Sequence, residues 1–383
     1  KVGSLGLLYK HHNHKLLFDY GMAPSKPPEI PLPAPPTDAV FLSHAHLDHS
    51  GMIPALCEAG HIPIYTTNLT SEISQLLHKD SIKIAKMEGY APLYSGNEVR
   101  QSLKQYLHIK QKESVQLDDM TVKFHDAGHI PGSMMIEVQG SSRFLVTGAV
   151  NTVDTNLVKG TKPVDCDILC MEGTYAGREH PMKRDELEKA FCDRIEEVHI
   201  RGGIVILPAF AVSRSQELIM VLRNKGFNIW FDGMGQKVTK MFLKHSEFLS
   251  QPKALKKAMN KVNPVHSDHG RKLALNADVI ITSSGMMDGG PVLHYMSKIK
   301  NDPKSAVFLT GYQVEETNSR LLMDKGKLNF YGVIEDVNCE TEYFDFSGHA
   351  GHSELIDFAK GCNPEKIILM HSDNREVLAE PLS

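Results

Sequence analysis

The segment Ser43-His44-Ala45-His46-Leu47-Asp48-His49 puts three histidines and an aspartate within six residues, at the end of the apolar run AVFLS. Packing does not account for such a density of polar rings. Neutral imidazoles and a carboxylate are the ligands that borderline divalent metals take, and a strand end followed by a loop can turn all four side chains toward one cavity. His44 and His46 lie two apart and can share one ion. Asp48 and His49, on the following turn, are then free for a second. A pair of divalent ions lowers the pKa of a water toward neutrality and stabilises negative charge developing on a substrate, so metal-assisted hydrolysis is the chemistry to expect.

The elements that must position these groups follow from the pattern around them. KLLFD (15 to 19) and AVFLS (39 to 43) read as short buried strands, joined by PSKPPEIPLPAPP, whose prolines exclude helix and central strand and make it a surface strap. Strand-like runs recur at 121 to 125, 134 to 138, 143 to 147 and 166 to 171, so the first 175 residues are sheet-rich with a few helices. After Glu172 helix and strand alternate: helix 183 to 200, strand GGIVILPAF, helix 213 to 225, strand NIWFD. That alternation predicts a parallel sheet flanked by helices. Further strands are expected at 278 to 283, 305 to 310 and 328 to 332, and the chain closes with helix 353 to 360 and strand 366 to 370.

Composition narrows the function classes. At 383 residues the chain exceeds the usual single core and predicts two domains. It is 41% hydrophobic and 23% charged, with no apolar run of membrane-crossing length, and KVGSLGLLYKHHNHK does not resemble a secretory signal; a cytoplasmic enzyme without a membrane role is the expectation. The net charge of −4 argues against coating nucleic acid by bulk positive field. A local basic patch is left by seven lysines between 237 and 261, for which a solvated helical face is the plainer reading. No two of the six cysteines form a C-x-x-C pair, so they read as reduced, with Cys166 and Cys170 as small buried hydrophobes. His11, His12 and His14 fall in an expected hairpin turn and read as exposed turn residues.

The pattern H-x-H-x-D-H resembles the metal motif of the metallo-β-lactamase superfamily. In chain order, Asp19 in FDYG is similar to the family's early aspartate, which supports the metal-binding histidines from behind. His129 in DAGHIPGS is similar to the third histidine of the first metal. MEGTYAGREHP with Glu172, FSGHAGHSEL centred on His349, and MHSDN with His371 resemble the three motifs of the β-CASP subfamily, the branch that processes nucleic acids. PAFAVSRSQE, SSGMMDGGPV and LTGYQVEETNSR also look like β-CASP sequence, so the resemblance covers essentially the whole chain. Within the subfamily it is similar to archaeal homologues of the cleavage and polyadenylation specificity factor endonuclease.

The resemblance implies an αββα sandwich of residues 1 to 176 and 344 to 383, interrupted by a β-CASP domain of 177 to 343, with RNA in the cleft between them. It implies two zinc ions held by His44, His46, Asp48, His49, His129 and His371. It makes Asp48, His349 and Glu172 the catalytic residues, His349 protonating the leaving oxygen and Glu172 orienting it, with a 3′-hydroxyl and a 5′-phosphate as products. His371 is the version found in RNA-acting members. Ser347 and Arg214 are the RNA-binding expectations, and a homodimer is an assembly the sequence leaves open. Family members usually carry an extra strand and glycine turn ahead of Lys1-Val2-Gly3 and a longer tail after His371.

At VTGAVNTVDTNL the family has an aspartate after Thr-Gly that bridges both ions, and here that position is Ala149. The resemblance therefore implies reduced metal occupancy, first of the second ion, and impaired activity. Because every other motif is intact, a deliberate replacement that keeps RNA uncut is preferred over a decayed paralogue. Asp154 matches no ligand position, His352 is the rival proton donor to His349, and Asp126 reads as a turn cap. A non-catalytic RNA-binding scaffold subunit is the alternative function, favoured by Ala149. Hydrolysis of a small ester or lactam has no use for Glu172 with His349.

Overall fold

The computed structural model describes residues 3 to 383 except 24, 26, 111 and 112, so the expectation on Lys1 and Val2 lies outside the described residues. The chain divides into a first unit of Lys1–Asp154, Lys159–Glu179 and Gly348–Ser383 and a second of Thr155–Val158 and His180–Ser347.

Two sheets make the first unit. One has five strands in the order Leu7–His11, His14–Phe18, Ala39–Phe41, Ile64–Thr66, Tyr106–His108. The other has six, in the order Lys366–Met370, Ile168–Glu172, Arg143–Val146, Met134–Gln139, Met120–Asp126, Ser114–Leu117. Side chains alternate across a strand, and here both faces of each sheet are apolar. Leu16, Phe18 and Phe41 face Phe124, Ile136, Val138, Phe144 and Val146 in the core between the sheets. The intervening Leu17, Val40 and Leu42 pack outward against Ile53 and Leu56. On the opposite side Leu145, Leu169 and Met171 pack against Leu355 and Phe358 of helix His352–Gly361. Helices thus cover both outer faces, giving the αββα order.

The second unit holds a six-stranded, wholly parallel sheet in the order Asn263–Pro264, Ile229–Asp232, Val279–Thr282, Val205–Pro208, Ala306–Leu309, Glu340–Tyr343. Its inner strands Val279–Thr282, Val205–Pro208 and Ala306–Leu309 are buried throughout, as a parallel sheet with covered faces requires. All seven lysines between 237 and 261 are exposed, on and beside helices Gly235–Lys244 and Pro252–Met259.

Several expectations need correction. The run 328 to 332 is not one strand: Lys327–Phe330 and Val333–Asp336 form a separate hairpin, with Tyr331 (φ 52) and Gly332 (φ 98) as its two-residue turn. The tail rejoins the first unit at Gly348 rather than 344, because Phe344 and Phe346 pack their rings on Phe191 of the second. Thr155–Val158 belongs to the second unit, where Asn156 bonds Glu188, Glu217 and Arg223. A 21-residue helix, Asn68–Glu88, lies in a stretch with no expected element. Its first turn is capped by Thr67 Oγ1, which accepts from Thr70 N, and Gly89 ends it at φ 82.

Candidate active site and metal centre

The site of the first unit gathers at the carboxyl ends of its strands. Asp19 follows Phe18, Ser43 and His44 follow Phe41, Gly148 and Ala149 follow Val146, Glu172 is the last residue of its strand, and His371 follows Met370. Glu172 and Met370 are register partners, which brings the last two ends side by side.

The H-x-H-x-D-H loop is fixed from below by the chain around Asp19. Tyr20 N donates to the His49 carbonyl at 2.7 Å and Met22 N to the Leu47 carbonyl at 2.8 Å. Gly21 between them must be glycine, since a Cβ there would lie 1.7 Å from the Asp48 carbonyl oxygen. Asp19, in the left-handed region at φ 56, receives Ser43 N at 2.7 Å, the Ser43 hydroxyl at 2.8 Å and His49 Nδ1 at 2.7 Å. The carboxylate thereby sets the His49 tautomer and turns Nε2 the other way, the usual support of a metal-ligating imidazole.

His44, His46 and His129 present ligand atoms within 4.8 Å of one another, and so do His44, Asp48 and His49. His129 Nδ1 donates to the Gly348 carbonyl at 2.7 Å, leaving Nε2 as the nitrogen that faces His46 Nδ1 at 3.2 Å. His371 Nε2 lies 3.2 Å from Asp48 Oδ2, while its Nδ1 meets the Thr174 hydroxyl at 3.2 Å. All six side chains named as ligands from the sequence therefore converge in one connected cluster.

The electrostatics suit cations. Burial, and then the neighbouring rings of His49, His129 and His46, hold His44 well below its ordinary value, so it stays neutral and able to coordinate. Burial and then His349 and His46 do the same to His129. Burial would raise the Asp48 carboxyl, but the charges of His49 and His371 outweigh it and hold Asp48 well below the usual carboxylate range. His49 Nε2 is buried with no hydrogen-bond partner, and lies 3.9 Å from Asp48 Oδ2. An orphaned imidazole nitrogen beside an ionised carboxylate is a donor set that fits a divalent metal.

Next to this cluster sits the second constellation. Glu172, fully buried, accepts from His349 Nδ1 at 2.8 Å, Val150 N at 2.8 Å and Thr174 N at 3.1 Å. Burial would push its carboxyl up, but His349 and these hydrogen bonds prevail, and Glu172 is held well below the usual range. The His349 ring lies 4.5 Å from that of His129, centroid to centroid. Ala149 is buried between the two constellations: a Cβ on Gly148 would touch Ser43 at 2.8 Å, and Val150 donates to Glu172.

The weaker sequence readings separate from the cluster. Asp154 pairs with Lys159 Nζ at 2.6 Å on an exposed loop, and Asp126 is exposed at a strand end. His352 Nδ1 receives Gly177 N at 3.2 Å. Arg214 opens helix Arg214–Leu222 and Ser347 N donates to Asp345, both in the second unit. Sequence reasoning missed Ser43, whose hydroxyl links Asp19 to His44 Nδ1, and His78, whose Nε2 donates to the Ser50 carbonyl at 2.9 Å and pins the ligand loop to the long helix. No apolar stripe marks His78 in the sequence: it is buried on a helix face shared with Ser71, Ser74 and Ala85.

Residues 2–153 match the metallo-beta-lactamase superfamily, 215–322 the Beta-Casp domain, and 334–380 the Zn-dependent metallo-hydrolase RNA specificity domain. The chain is 36% identical to "Probable RNase MJ4" of Methanocaldococcus jannaschii, over 97% of this chain and 91% of that protein. It is 35% identical to "RNase aCSPSF2" of Saccharolobus solfataricus, over 99% of this chain and 79% of that protein. It is 32% identical to "Transcription termination factor FttA" of Pyrococcus abyssi, over 89% of this chain but only 58% of that protein. A crystal structure of a protein of unknown function from Enterococcus faecalis shares the fold, with a TM-score of 0.62 at 14% identity over 98% of this chain and 93% of that one. Among the described residues no helix is long and apolar enough to cross a membrane. The chain belongs to the β-CASP branch of the metallo-β-lactamase superfamily.

Proposed function

We propose that this chain is a metal-dependent ribonuclease whose chemistry is impaired by Ala149, and that it hydrolyses RNA to fragments with a 3′-hydroxyl and a 5′-phosphate. The observation that carries the reading is the Glu172–His349 pair, at 2.8 Å, set against the ring of His129. A hydrolase of small esters needs the metal ligands but not a buried carboxylate holding a second histidine at their edge. RNA as substrate draws further support from the match of 334–380 to an RNA specificity domain and from relatives named as RNases.

His44, His46 and His129 would hold one ion and Asp48, His49 and His371 the other, and the imidazole-rich set favours zinc. When bound, the two ions supply an activated water and positive charge for the transferring phosphoryl group. As the phosphorus–oxygen bond to the leaving 3′-oxygen breaks, that oxygen takes the proton His349 carries on Nε2, a contribution typically worth about 10² to 10⁴ in rate. Glu172 accepts a hydrogen bond from Nδ1, which holds the ring in place and turns Nε2 toward the reacting phosphate. Three donors to one buried carboxylate keep Glu172 itself ionised. Ala149 offers the ions no oxygen, so occupancy falls first at the second ion, which has the smaller set of neutral nitrogens.

The alternative, a non-catalytic RNA-binding scaffold, rests on Ala149 alone. End-group analysis on labelled RNA separates the two. Ala149→Asp protein with zinc is expected to give 3′-hydroxyl and 5′-phosphate ends, as single nucleotides if it works processively and as discrete fragments if it cuts internally. Metal-loaded Ala149→Asp protein that binds RNA but leaves it whole would favour the scaffold.

A further inference from the structure

We propose that His11, His12 and Asp119 form a separate divalent-metal site, of the class that takes zinc, which clips together the edges of the two sheets of the first unit. His11 ends strand Leu7–His11, the outermost strand of the five-stranded sheet, and His12 (φ 49) begins the two-residue turn to His14. Asp118 (φ 48) and Asp119 are the two-residue turn between Ser114–Leu117, the outermost strand of the six-stranded sheet, and Met120–Asp126. The two hairpin tips meet. His12 Nδ1 lies 2.9 Å and His11 Nε2 3.5 Å from the same oxygen, Asp119 Oδ2, and the three ligand atoms all fall within 4.8 Å of one another.

Ion pairing alone leaves an unmet demand. His11, expected from the sequence to be an exposed turn residue, is only 8% exposed, and its Nε2 is a buried polar atom without a hydrogen-bond partner. The backbone arrangement explains the burial, since His11 is the last paired residue of the strand and its ring lies over Gly140, where a Cβ would come within 3.1 Å of Nε2. A buried nitrogen aimed at a carboxylate oxygen, with a second imidazole already on that oxygen, is met by a metal that both rings and the carboxylate share. Asp119 and His12 are half-exposed or more, so solvent supplies the remaining coordination positions. The adjacent His14–Asp118 contact, at 2.9 Å, holds the two turns in register from the other side.

This site is distinct from the one described above. Strand His14–Phe18 separates it from Asp19, and five residues of strand span roughly 17 Å at about 3.3 Å each. A clip at the edges also has a physical use, because an edge strand carries unpaired backbone groups and has a neighbouring strand on one side only.

The test compares the full chain with its His12→Asn/Asp119→Asn variant, both dialysed against zinc and analysed for bound metal. The ligand cluster at the other end of the strands is identical in the two proteins and cancels. His12 is 67% exposed as a side chain, so the variant is expected to fold. The expected result is one zinc equivalent fewer in the variant, together with loss of the part of the zinc-induced rise in Tm that the parent shows. Equal zinc in the two proteins would overturn the proposal and leave an ordinary histidine–aspartate pair; a lost equivalent with no change in the zinc dependence of Tm would overturn the clip.

Discussion

Replacing His78 tests how the ligand loop is held. Its ring is fully buried, Nε2 donates to the Ser50 carbonyl next to His49, and Nδ1 is buried without a partner. Burial pushes its pKa from 6.5 to about 4, against which the Ser50 hydrogen bond acts only weakly. The folded protein thus keeps the ring neutral where the unfolded chain is already protonated. Stability from this group is complete above pH 6.5 and is lost as pH falls toward 4, because the unfolded state takes up the proton first. The full difference is about 3 kcal/mol at about 1.36 kcal/mol per unit, and roughly 2 kcal/mol of it falls between pH 7 and pH 5. His78→Gln keeps a donor for Ser50 but does not titrate. Urea unfolding of both metal-stripped proteins at pH 7 and pH 5 should show the variant losing about 2 kcal/mol less on acidification than the parent. His44 and His129 titrate in both proteins and drop out of the comparison. Equal acid sensitivity would refute the reasoning.

Other consequences are as direct. Asp19→Asn, which leaves every proposed ligand in place but removes the anionic partner of His49 Nδ1, should weaken zinc binding about 10- to 100-fold by competition with a chromophoric chelator. In an Ala149→Asp background, His349→Gln or Glu172→Gln should lower RNA cleavage about 10²- to 10⁴-fold while the measured zinc content is unchanged, since neither residue is a proposed ligand.

The legible part of the site is the part whose chemistry is local. Four ligand residues within one loop announce themselves by type and spacing. Asp19, Glu172, His349 and His371 became legible through the motifs around them; Asp19, Glu172 and His371 converge because their strands end on one side, and His349 lies just ahead of helix His352–Gly361. The long helix Asn68–Glu88 stayed hidden because its inner face is not an apolar stripe: Thr70, Ser71, Ser74 and His78 are buried there among Leu69 and Ile73. His11 was misplaced for a related reason. A histidine beside a turn is usually solvated, and this one is covered by segments about a hundred or more residues away in sequence, around Asp119 and Gly140. The strand boundaries were over-extended by one or two residues where an apolar run continues past its last ladder pair, as Leu42 and Ser43 do beyond Phe41.

The central claim is that this is a working nuclease site short of one carboxylate. Single-turnover cleavage of end-labelled RNA by the chain and by Ala149→Asp, each with its zinc content determined, measures it most directly. A shared carboxylate supplying several kcal/mol predicts roughly a 10³-fold faster reaction for Ala149→Asp, with higher zinc occupancy. Two bound zinc ions with no gain in cleavage would contradict it.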